Sequence, residues 1–459
     1  MIQAGMGCIL SFDIGTSSVK AGLFDRATGE PVWLHRESFQ DSKSEWVVEQ
    51  WIRAVQAVCD QLPDGQLEAV SLSGNGPTVI PVREDGTALT DAMLWHDDRE
   101  IRVPQAESFF LPKVAWVKQH APEIHDQVTC YMTCPEYLAY LMGGDAHSTS
   151  PSVSFDPYVW TKAELDRYGI DGTLLPPLVR PGVRVGQTRR REGELFGLGE
   201  GIPIFAAGPD FLMSQLGTAT VEPGQTCDRA GTSEGINHCT AERVESEAVR
   251  CLPHVVPPYW NVAGILSSTG RIFEWFRSIS RQRSVGYDRM LAEIGAAGID
   301  DAPYFFPSTH EGAAWEFSQG MFVGLRSDHG TPEMGRGVVQ AIGFAVRQSI
   351  ESLHTAGCEV VELRASGGQA KNATWNQIKA DITGIPIICP EVLDAELMGN
   401  VCCARAGLGD AASPWEAARE LVRFDRRFEP VAASHHRYSE GYERYLVNYE
   451  VFLEAFSKL

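Results

Sequence analysis

The chain has 459 residues, of which 44% are hydrophobic and 22% charged, and its formal net charge is -21. A chain of this length exceeds what one hydrophobic core organises, which predicts two domains of ordinary size. The composition is typical of a soluble globular protein, and the acidic balance argues against nucleic acid or an anionic membrane as the main partner.

The sequence also lacks the patterns of targeting segments and disulfide frameworks. No stretch approaches the ~20 apolar residues that span a bilayer, and the apolar run at 7–10 is too short for a signal peptide. The eleven cysteines show no metal-ligand spacing, and Cys402 and Cys403 lie in a helical apolar run. We therefore expect buried thiols and a cytoplasmic protein.

The first element is a hairpin close to the amino terminus. An apolar strand ends in Asp13, and a second apolar strand spans 19–24. Between them lies a tight turn that contains Gly15, Thr16 and Ser17. Such a turn exposes backbone N–H groups that can bind phosphate oxygens, and a carboxylate at a strand end can hold Mg²⁺ through water. An ordinary hairpin with a turn of small residues has the same pattern.

Two groups of polar residues follow in the next stretch. Further strands and an amphipathic helix alternate in an α/β order, and the strand at 69–73 ends in a turn with Asn75. Turns at the carboxyl ends of strands are where α/β sheets place ligands. Trp95, Asp97 and Arg99 then offer an aromatic face and charged groups that suit a sugar. A solvated charged turn with one buried tryptophan also fits these residues.

The middle of the chain ends in a second candidate aspartate. Residues 112–144 read as helical and 148–157 as a polar loop. A strand over 202–208 then leads to Asp210, at the point where a helix over 211–218 can begin. The pattern predicts either a helix cap at Asp210, since aspartate is a leading capping residue, or a polar group that faces a ligand.

The opening pattern recurs in the second half of the chain. A strand over 226–230 is followed by Gly231, Thr232 and Ser233 and then by another strand. The recurrence indicates two similar halves, each of which supplies a phosphate-binding hairpin to a cleft between them. A chance repeat of Gly-Thr-Ser would look the same.

The last candidate residues lie around helices of the second half. Glu274 lies in a predicted helix, and a later strand ends in Gly367 and Gly368, shortly before Asn372. A Gly-Gly turn that opens a helix lets a flat ligand lie against the backbone. A small-residue helix and a terminal packing helix complete the chain.

Four motifs in this order carry a family resemblance. They are Phe12-Asp13-Ile14-Gly15-Thr16-Ser17, Trp95-His96-Asp97-Asp98-Arg99, Ala207-Gly208-Pro209-Asp210 with Gly231-Thr232-Ser233, and Ser366-Gly367-Gly368-Gln369-Ala370-Lys371-Asn372. Over nearly its whole length the chain resembles the FGGY family of carbohydrate kinases, xylulose kinases among them, in the actin, Hsp70 and sugar-kinase superfamily. The resemblance implies an α/β fold of two RNase H-like (actin-like ATPase) domains with a cleft between them. Residues 1–222 would bind the sugar and carry the catalytic aspartate, and 223–459 would bind the nucleotide.

The resemblance also implies roles for individual residues. Asp210 matches the catalytic base, and Asp13 matches the aspartate associated with Mg²⁺. The positions expected to contact the sugar are Asn75, Trp95, Asp97, Arg99 and Asp210. The positions expected to bind ATP are Thr16, Ser17, Gly231, Thr232, Ser233, Gly270, Glu274, Gly367, Gly368 and Asn372.

Several residues depart from the family pattern. Pro209 and Phe211 flank Asp210, where the family often has Gly or Ala before the base and a polar residue after it. Glu234 follows the second Gly-Thr-Ser turn, where many members have glycine. The turn after Asn75 lacks the motifs of typical xylulose and glycerol kinases, so we expect a ketose, a polyol or a related small sugar rather than glycerol.

The leading hypothesis is therefore a sugar kinase that uses ATP and Mg²⁺ to phosphorylate a hydroxyl of a small sugar or polyol. The alternative is a nucleotide-binding sensor or assembly protein of the same fold that does not catalyse phosphoryl transfer. Asp13, Asp210 and both phosphate turns favour the enzyme, whereas the unusual flanks of Asp210 keep the alternative open. The sequence allows a homodimer.

Overall fold

The computed structural model describes residues 7–39, 45–189, 196–308, 317 and 319–456. In these ranges the strands, in chain order, are β1 (Gly7–Ile14), β2 (Ser18–Asp25), β3 (Pro31–Ser38), β4 (Gln66–Gly74), β5 (Ile80–Val82), β6 (Cys130–Met132), β7 (Ser148–Thr149), β8 (Leu178–Val179), β9 (Arg184–Gln187), β10 (Pro203–Pro209), β11 (Thr226–Ala230), β12 (Glu234–Thr240), β13 (Arg250–Pro253), β14 (Trp260–Leu266), β15 (Tyr304–Phe306), β16 (Met321–Val323), β17 (Leu363–Ser366), β18 (Ile387–Pro390) and β19 (Phe424–Phe428).

The α-helices of the same ranges are, in chain order, α1 (Val47–Cys59), α2 (Leu111–His120), α3 (Pro122–His125), α4 (Cys134–Leu141), α5 (Asp156–Val159), α6 (Lys162–Tyr168), α7 (Asp210–Gly217), α8 (Thr269–Ile279), α9 (Tyr287–Ala296), α10 (Thr331–Thr355), α11 (Ala373–Thr383), α12 (Ala395–Gly407), α13 (Pro414–Leu421) and α14 (Ala432–Phe456). Short 3₁₀ turns lie at Gly172–Leu174 and Gln369–Lys371. In the part of the chain that the structure describes, each helix is too short or too polar to cross a membrane.

The described chain divides into two compact units. Unit 1 takes its residues from 1–221, 253–258 and 394–422, and unit 2 takes its residues from 222–252, 259–393 and 423–459. The domains proposed from the sequence, 1–222 and 223–459, are a simpler division and stay a prediction. The structure assigns α12 to unit 1 because this buried helix packs against β1, β4, β10 and α7.

Unit 1 is built on a six-stranded sheet, sheet 1, with the strand order β3-β2-β1-β4-β10-β9. The strands β1, β4 and β10 run parallel, and β2 and β9 are antiparallel to their neighbours. The side chains of residues 8–14 are buried on both faces of β1, as expected where helices cover both faces of a sheet with parallel strands. Trp51 of α1 is 1% exposed and joins Phe12 and Leu72 of the sheet in one hydrophobic core.

Unit 2 repeats this arrangement on a seven-stranded sheet, sheet 2, with the order β13-β14-β12-β11-β17-β18-β19. Its strands β14, β12 and β11 are antiparallel, β17 and β18 continue parallel to β11, and β19 is antiparallel again. The hairpin β11–β12 thus has the place in sheet 2 that β1–β2 has in sheet 1. The prediction of two similar halves, each with a Gly-Thr-Ser hairpin, is confirmed.

Two local predictions are wrong. The stretch 112–144 is not continuously helical, because β6 interrupts it and pairs with β5. The stretch 148–157 is not simply a polar loop, since it contains β7, which pairs with β8, and the start of α5. Both strands are two or three residues long and are specified by a distant partner, which local periodicity does not reveal.

Candidate functional site

The first candidate group is built around Asp13 at the end of β1. The Ser73 hydroxyl donates a hydrogen bond of 2.9 Å to Asp13 Oδ1, and Lys20 Nζ lies 3.2 Å from Asp13 Oδ2. Lys20 stands directly opposite Asp13 in the register of the β1–β2 hairpin. The same ammonium lies 3.4 Å from Glu396 and 3.7 Å from Asp394. Three carboxylates therefore gather around one lysine, which makes this end of sheet 1 acidic.

The turn between β1 and β2 presents Thr16 and Ser17 to solvent. The Gly15 N–H closes the turn by donating to the Ser18 carbonyl at 3.0 Å. Asn75, predicted as a sugar contact, is buried, and its amide donates to the carbonyls of Ile14 and Gly15 at 3.1 and 3.2 Å. The Asn75 amide group thus holds the turn of Gly15, Thr16 and Ser17 in place.

Asp210 lies at the same edge of sheet 1 as Asp13. Asp13 and Gly208 both pair with Ser73, from opposite sides of β4. Neighbouring strands are ~4.8 Å apart, so the Cα atoms of Asp13 and Gly208 are separated by about 10 Å. Burial raises the pKa of the Cys134 thiol, and charges that include those of both aspartates act in the same direction. The two predicted carboxylates thus lie near one thiol.

The helix α7 begins at Asp210, and its side chain is half-buried. The N-cap position belongs to Pro209, without a side-chain capping bond, so the prediction of a cap at Asp210 is wrong. The φ of Pro209 is -62°, close to the value that the proline ring imposes, so proline fits the backbone at this N-cap position without strain. The departure from the family pattern at Pro209 is therefore compatible with a rigid start of the helix that carries Asp210.

A loop after β5 carries the other predicted sugar contacts. Trp95 is 40% exposed. Arg99 donates from Nε to Asp97 Oδ1 at 2.9 Å and from Nη2 to Asp97 Oδ2 at 2.5 Å, and it lies over the Trp116 ring at 5.5 Å. Burial raises the pKa of Asp97, but the hydrogen bonds from Arg99 outweigh this effect and the pKa is lowered. The loop thus offers an exposed indole beside a neutralised ion pair.

Backbone hydrogen bonds join this loop to the turn that contains Asn75. The N–H groups of Val79 and Met93 donate to each other's carbonyls at 3.0 and 2.9 Å. Asn75 lies shortly before Val79 in the sequence, and Trp95 lies shortly after Met93. Unit 1 therefore connects the two predicted sugar-side segments.

Asn400 of α12 is a residue of this site that the sequence analysis missed. Its amide nitrogen donates to the Phe12 carbonyl at 2.7 Å and to the hydroxyls of Ser11 and Ser73, each at 3.1 Å. It thereby fixes the strand ends around Asp13. A polar side chain in a helix of small apolar residues was the available signal, but it did not indicate a partner. Lys20 could have been predicted from the hairpin register.

A small cavity lies beneath β10, between α4 and β7, and Glu136, Thr149 and Gly208 are among its lining residues. Glu136 is 4% exposed. Its Oε1 accepts a hydrogen bond of 3.1 Å from the Thr149 N–H, while Oε2 has no hydrogen-bond partner among the described residues. Burial raises the pKa of Glu136 from 4.5 to about 7. The neutral carboxyl is therefore the form that suits this cavity.

This raised pKa predicts a pH-dependent stability. Neutral Glu136 contributes fully to the free energy of unfolding below its ordinary pKa of 4.5, and this contribution is lost as the pH rises through about 7. We expect Glu136→Gln, which mimics the neutral form, to match the wild type near pH 5. At pH 8 the variant should be more stable by up to about 3 kcal/mol. Denaturant unfolding of both proteins across this range is the measurement, and equal pH dependence of the two would contradict the assignment.

In unit 2 the predicted nucleotide residues gather around the second Gly-Thr-Ser turn. Gly231 and Thr232 are exposed, and the Gly270 N–H donates to the Thr232 carbonyl at 3.1 Å. A Cβ on Gly270 would lie 2.1 Å from the Gly231 oxygen, and one on Gly367 would lie 2.5 Å from the Ala230 oxygen. Gly367 also has φ of +85°. Glycine is required at both positions because the backbones touch.

The start of α11 is tied to the helices around this turn. Asn372 caps α11 by accepting from the Trp375 N–H at 3.0 Å, and its amide donates to Asp288 of α9 at 2.7 Å. Gln369 donates to the Thr269 hydroxyl at the start of α8 at 3.2 Å. A Cβ on Gly368 would meet no described atom within 4 Å, so its backbone has open space beside it.

Glu274 lies in an ion-pair cluster on α8. Arg277 Nη1 lies 3.2 Å from Glu274 Oε1, and the Tyr287 hydroxyl donates to the same carboxylate. The Arg277 guanidinium stacks on the Tyr287 ring at 3.9 Å. Tyr287 was not predicted, and it adds a half-exposed aromatic ring to the predicted nucleotide residues.

Solved structures share this architecture. A gluconate kinase from Lactobacillus acidophilus superposes with a TM-score of 0.79 and 19% identity over 99% of this chain and 100% of that chain. A xylulose kinase from the same organism gives 0.78 and 19% over the same shares. The fold is therefore the two-domain α/β fold of the actin-like ATPases, as found in sugar kinases.

The sequence comparisons define the family. The model of the N-terminal domain of the FGGY family of carbohydrate kinases matches residues 8–108 and 100–217. The model of the C-terminal domain of the same family matches residues 229–408. A xylulose kinase of Staphylococcus epidermidis is 26% identical, with 96% of each chain covered. The chain belongs to the FGGY family of carbohydrate kinases, and it is a phosphotransferase of the sugar-kinase class.

Proposed function

We propose that this kinase transfers the γ-phosphoryl group of MgATP to a hydroxyl of a ketose, a polyol or a related small sugar, with Asp210 as general base. The observation that carries the proposal is the placement of Asp210 and Asp13 at one edge of sheet 1. The oxygen of the sugar hydroxyl attacks the γ-phosphorus, and Asp210 accepts the proton of that hydroxyl. The reaction otherwise needs in-line positioning and charge neutralisation.

The residues around Asp13 suit Mg²⁺ held mainly by water and phosphate. Mg²⁺ in kinases is bound through one or two carboxylates plus the phosphates rather than by a protein cage. Among the described residues no group of three or more His, Cys, Asp or Glu is arranged to hold a metal ion. Asp13 would hold the ion, with Asp394 and Glu396 adding negative charge nearby. When bound, Mg²⁺ neutralises phosphate charge.

The residues that would bind the two substrates are those named from the sequence. Thr16, Ser17, Gly231, Thr232 and Ser233 would contact phosphates through exposed turns. The remaining nucleotide contacts would be Gly270, Glu274, Gly367, Gly368 and Asn372. On the sugar side, Trp95 would stack on C–H groups, Asp97 and Arg99 would bind hydroxyls, and Asn75 would act by holding the first turn.

The proposed acceptor is neutral. The relatives named above are xylulose and gluconate kinases, which differ in whether the acceptor carries a carboxylate. Because the Arg99 guanidinium is already paired with Asp97, we favour ketoses and polyols over sugar acids. We also propose a cytoplasmic enzyme that needs no nucleic-acid or membrane partner.

The test is ADP release from MgATP with a panel of ketoses, polyols, aldoses and gluconate. We expect turnover with a neutral acceptor that exceeds the rate without acceptor and exceeds the rate with gluconate. Turnover with gluconate and with no neutral compound of the panel would contradict the proposal of a neutral acceptor. Absence of acceptor-dependent turnover across the panel, with ATP still bound, would favour the non-catalytic alternative.

A further inference from the structure

Unit 2 contains a buried charged cluster that the proposed reaction does not use, formed by Lys379, Asp228 and Glu234. Lys379 Nζ of α11 lies 2.7 Å from Asp228 Oδ2 of β11 and 2.5 Å from Glu234 Oε1 of β12. Their side chains are 2%, 0% and 0% exposed. Three elements of unit 2 therefore meet at one ammonium group.

The cluster is unbalanced in charge and in hydrogen bonds. Two carboxylates face one ammonium, and Asp228 Oδ1 and Glu234 Oε2 have no partner among the described residues. Burial raises the pKa of Glu234; Lys379 opposes this effect, and Asp228 reinforces it. Because buried ion pairs of this kind contribute little to stability compared with apolar packing, their presence calls for a positional explanation.

The location supplies that explanation. Glu234 directly follows the turn of Gly231, Thr232 and Ser233, and Asp228 lies on the strand before that turn. Lys379 lies on the helix that begins next to Asn372. The cluster thus connects both sides of the second Gly-Thr-Ser turn to the helix that follows Gly367, Gly368 and Asn372, three of the predicted nucleotide residues.

We infer that Glu234 is a positioning residue for nucleotide phosphates: through Lys379 it fixes the turn 231–233 relative to the start of α11. The inference rests on the proposed function, since it assigns the turn to phosphate binding. A displacement of phosphate-binding groups by ~1 Å is enough to change rates on the order of a hundredfold, so a rigid anchor matters here.

The test compares Glu234→Ala with Asp381→Ala as a matched control. Asp381 is also a buried carboxylate and lies on α11, but it accepts from the Val431 N–H at the start of α14. Dissociation constants for MgATP and for adenosine are measured by calorimetry for both variants and the wild type. We expect Glu234→Ala to weaken MgATP binding about tenfold or more, while adenosine binding is unchanged. The control should bind both as the wild type does.

Conservative variants separate positioning from general stability. Glu234→Gln keeps an oxygen for Lys379 and should restore MgATP affinity to within about threefold of the wild type. If Glu234→Ala does not fold, Glu234→Asp replaces it, since it withdraws the carboxylate by one methylene and should weaken MgATP selectively. Equal effects on MgATP and adenosine, or equal effects of Glu234→Ala and the control, would overturn the inference alone. A wild type that binds no MgATP would overturn the proposed function together with the inference.

Discussion

Replacement of Asp210 by asparagine is expected to lower kcat on the order of 10²-fold or more, because loss of a general base removes a contribution of that size. The side chain keeps its shape at the start of α7, so the helix and Pro209 should hold their positions. Binding of MgATP should change little, since Asp210 belongs to the acceptor side of the proposed site. The measurement is steady-state turnover with the preferred acceptor, together with nucleotide affinity.

The control for this experiment is Asp166→Asn, another aspartate of unit 1 that is 65% exposed and pairs with Lys162 on α6. It should retain wild-type kcat and KM. An Asp210→Asn variant that turns over as fast as this control would show that another group accepts the proton.

Replacement of Lys379 by methionine is expected to destabilise unit 2 by about 3–5 kcal/mol, the cost of removing one partner from a buried ion pair. The remaining carboxylates of Asp228 and Glu234 would face each other without a cation in a site that is closed to water. Burial lowers the pKa of Lys379, but the two carboxylates outweigh this effect and raise it. The ammonium is therefore charged throughout the physiological range.

Hydrogen exchange of peptides from β11, β12 and α11 measures this loss where it occurs, which avoids treating a two-unit protein as one transition. Lys162→Met is the control, because Lys162 is 86% exposed and its pair with Asp166 contributes only about 0.3–0.5 kcal/mol. Unchanged protection of α11 in Lys379→Met would contradict the role of the buried cluster.

Local sequence patterns predicted much of the fold. The hairpins β1–β2 and β11–β12 were predicted because apolar strands flank turns of small residues. The strand β6 was missed because three residues carry no clear period and depend on pairing with β5. Local patterns also do not indicate that α12 packs in unit 1, since a helix that is buried on all sides does not reveal which sheet it covers.

For the candidate site, the sequence indicated which residue types lie in it but not the contacts that those residues make. Asp13 lies at the end of β1 and Asp210 directly follows β10. Parallel strands bring their carboxyl ends to one edge of a sheet, so the proximity of the two aspartates could be expected. The contacts of Lys379 could not, since its partners are distant in sequence and a lone helical lysine usually faces solvent. Asn75 shows the same limit: its position in a turn was clear, but its use in holding Gly15 depends on tertiary structure.

In the proposed reaction the γ-phosphoryl group passes from ATP to a sugar hydroxyl, with Asp210 as the group that accepts the proton. The most direct measurement is ³¹P NMR of MgATP with the preferred ketose or polyol, followed over time with the wild type and with Asp210→Asn. We predict that a phosphate monoester resonance grows in step with ADP for the wild type and is nearly absent for the variant. Inorganic phosphate in place of the monoester, or equal monoester from both proteins, would contradict the proposed reaction.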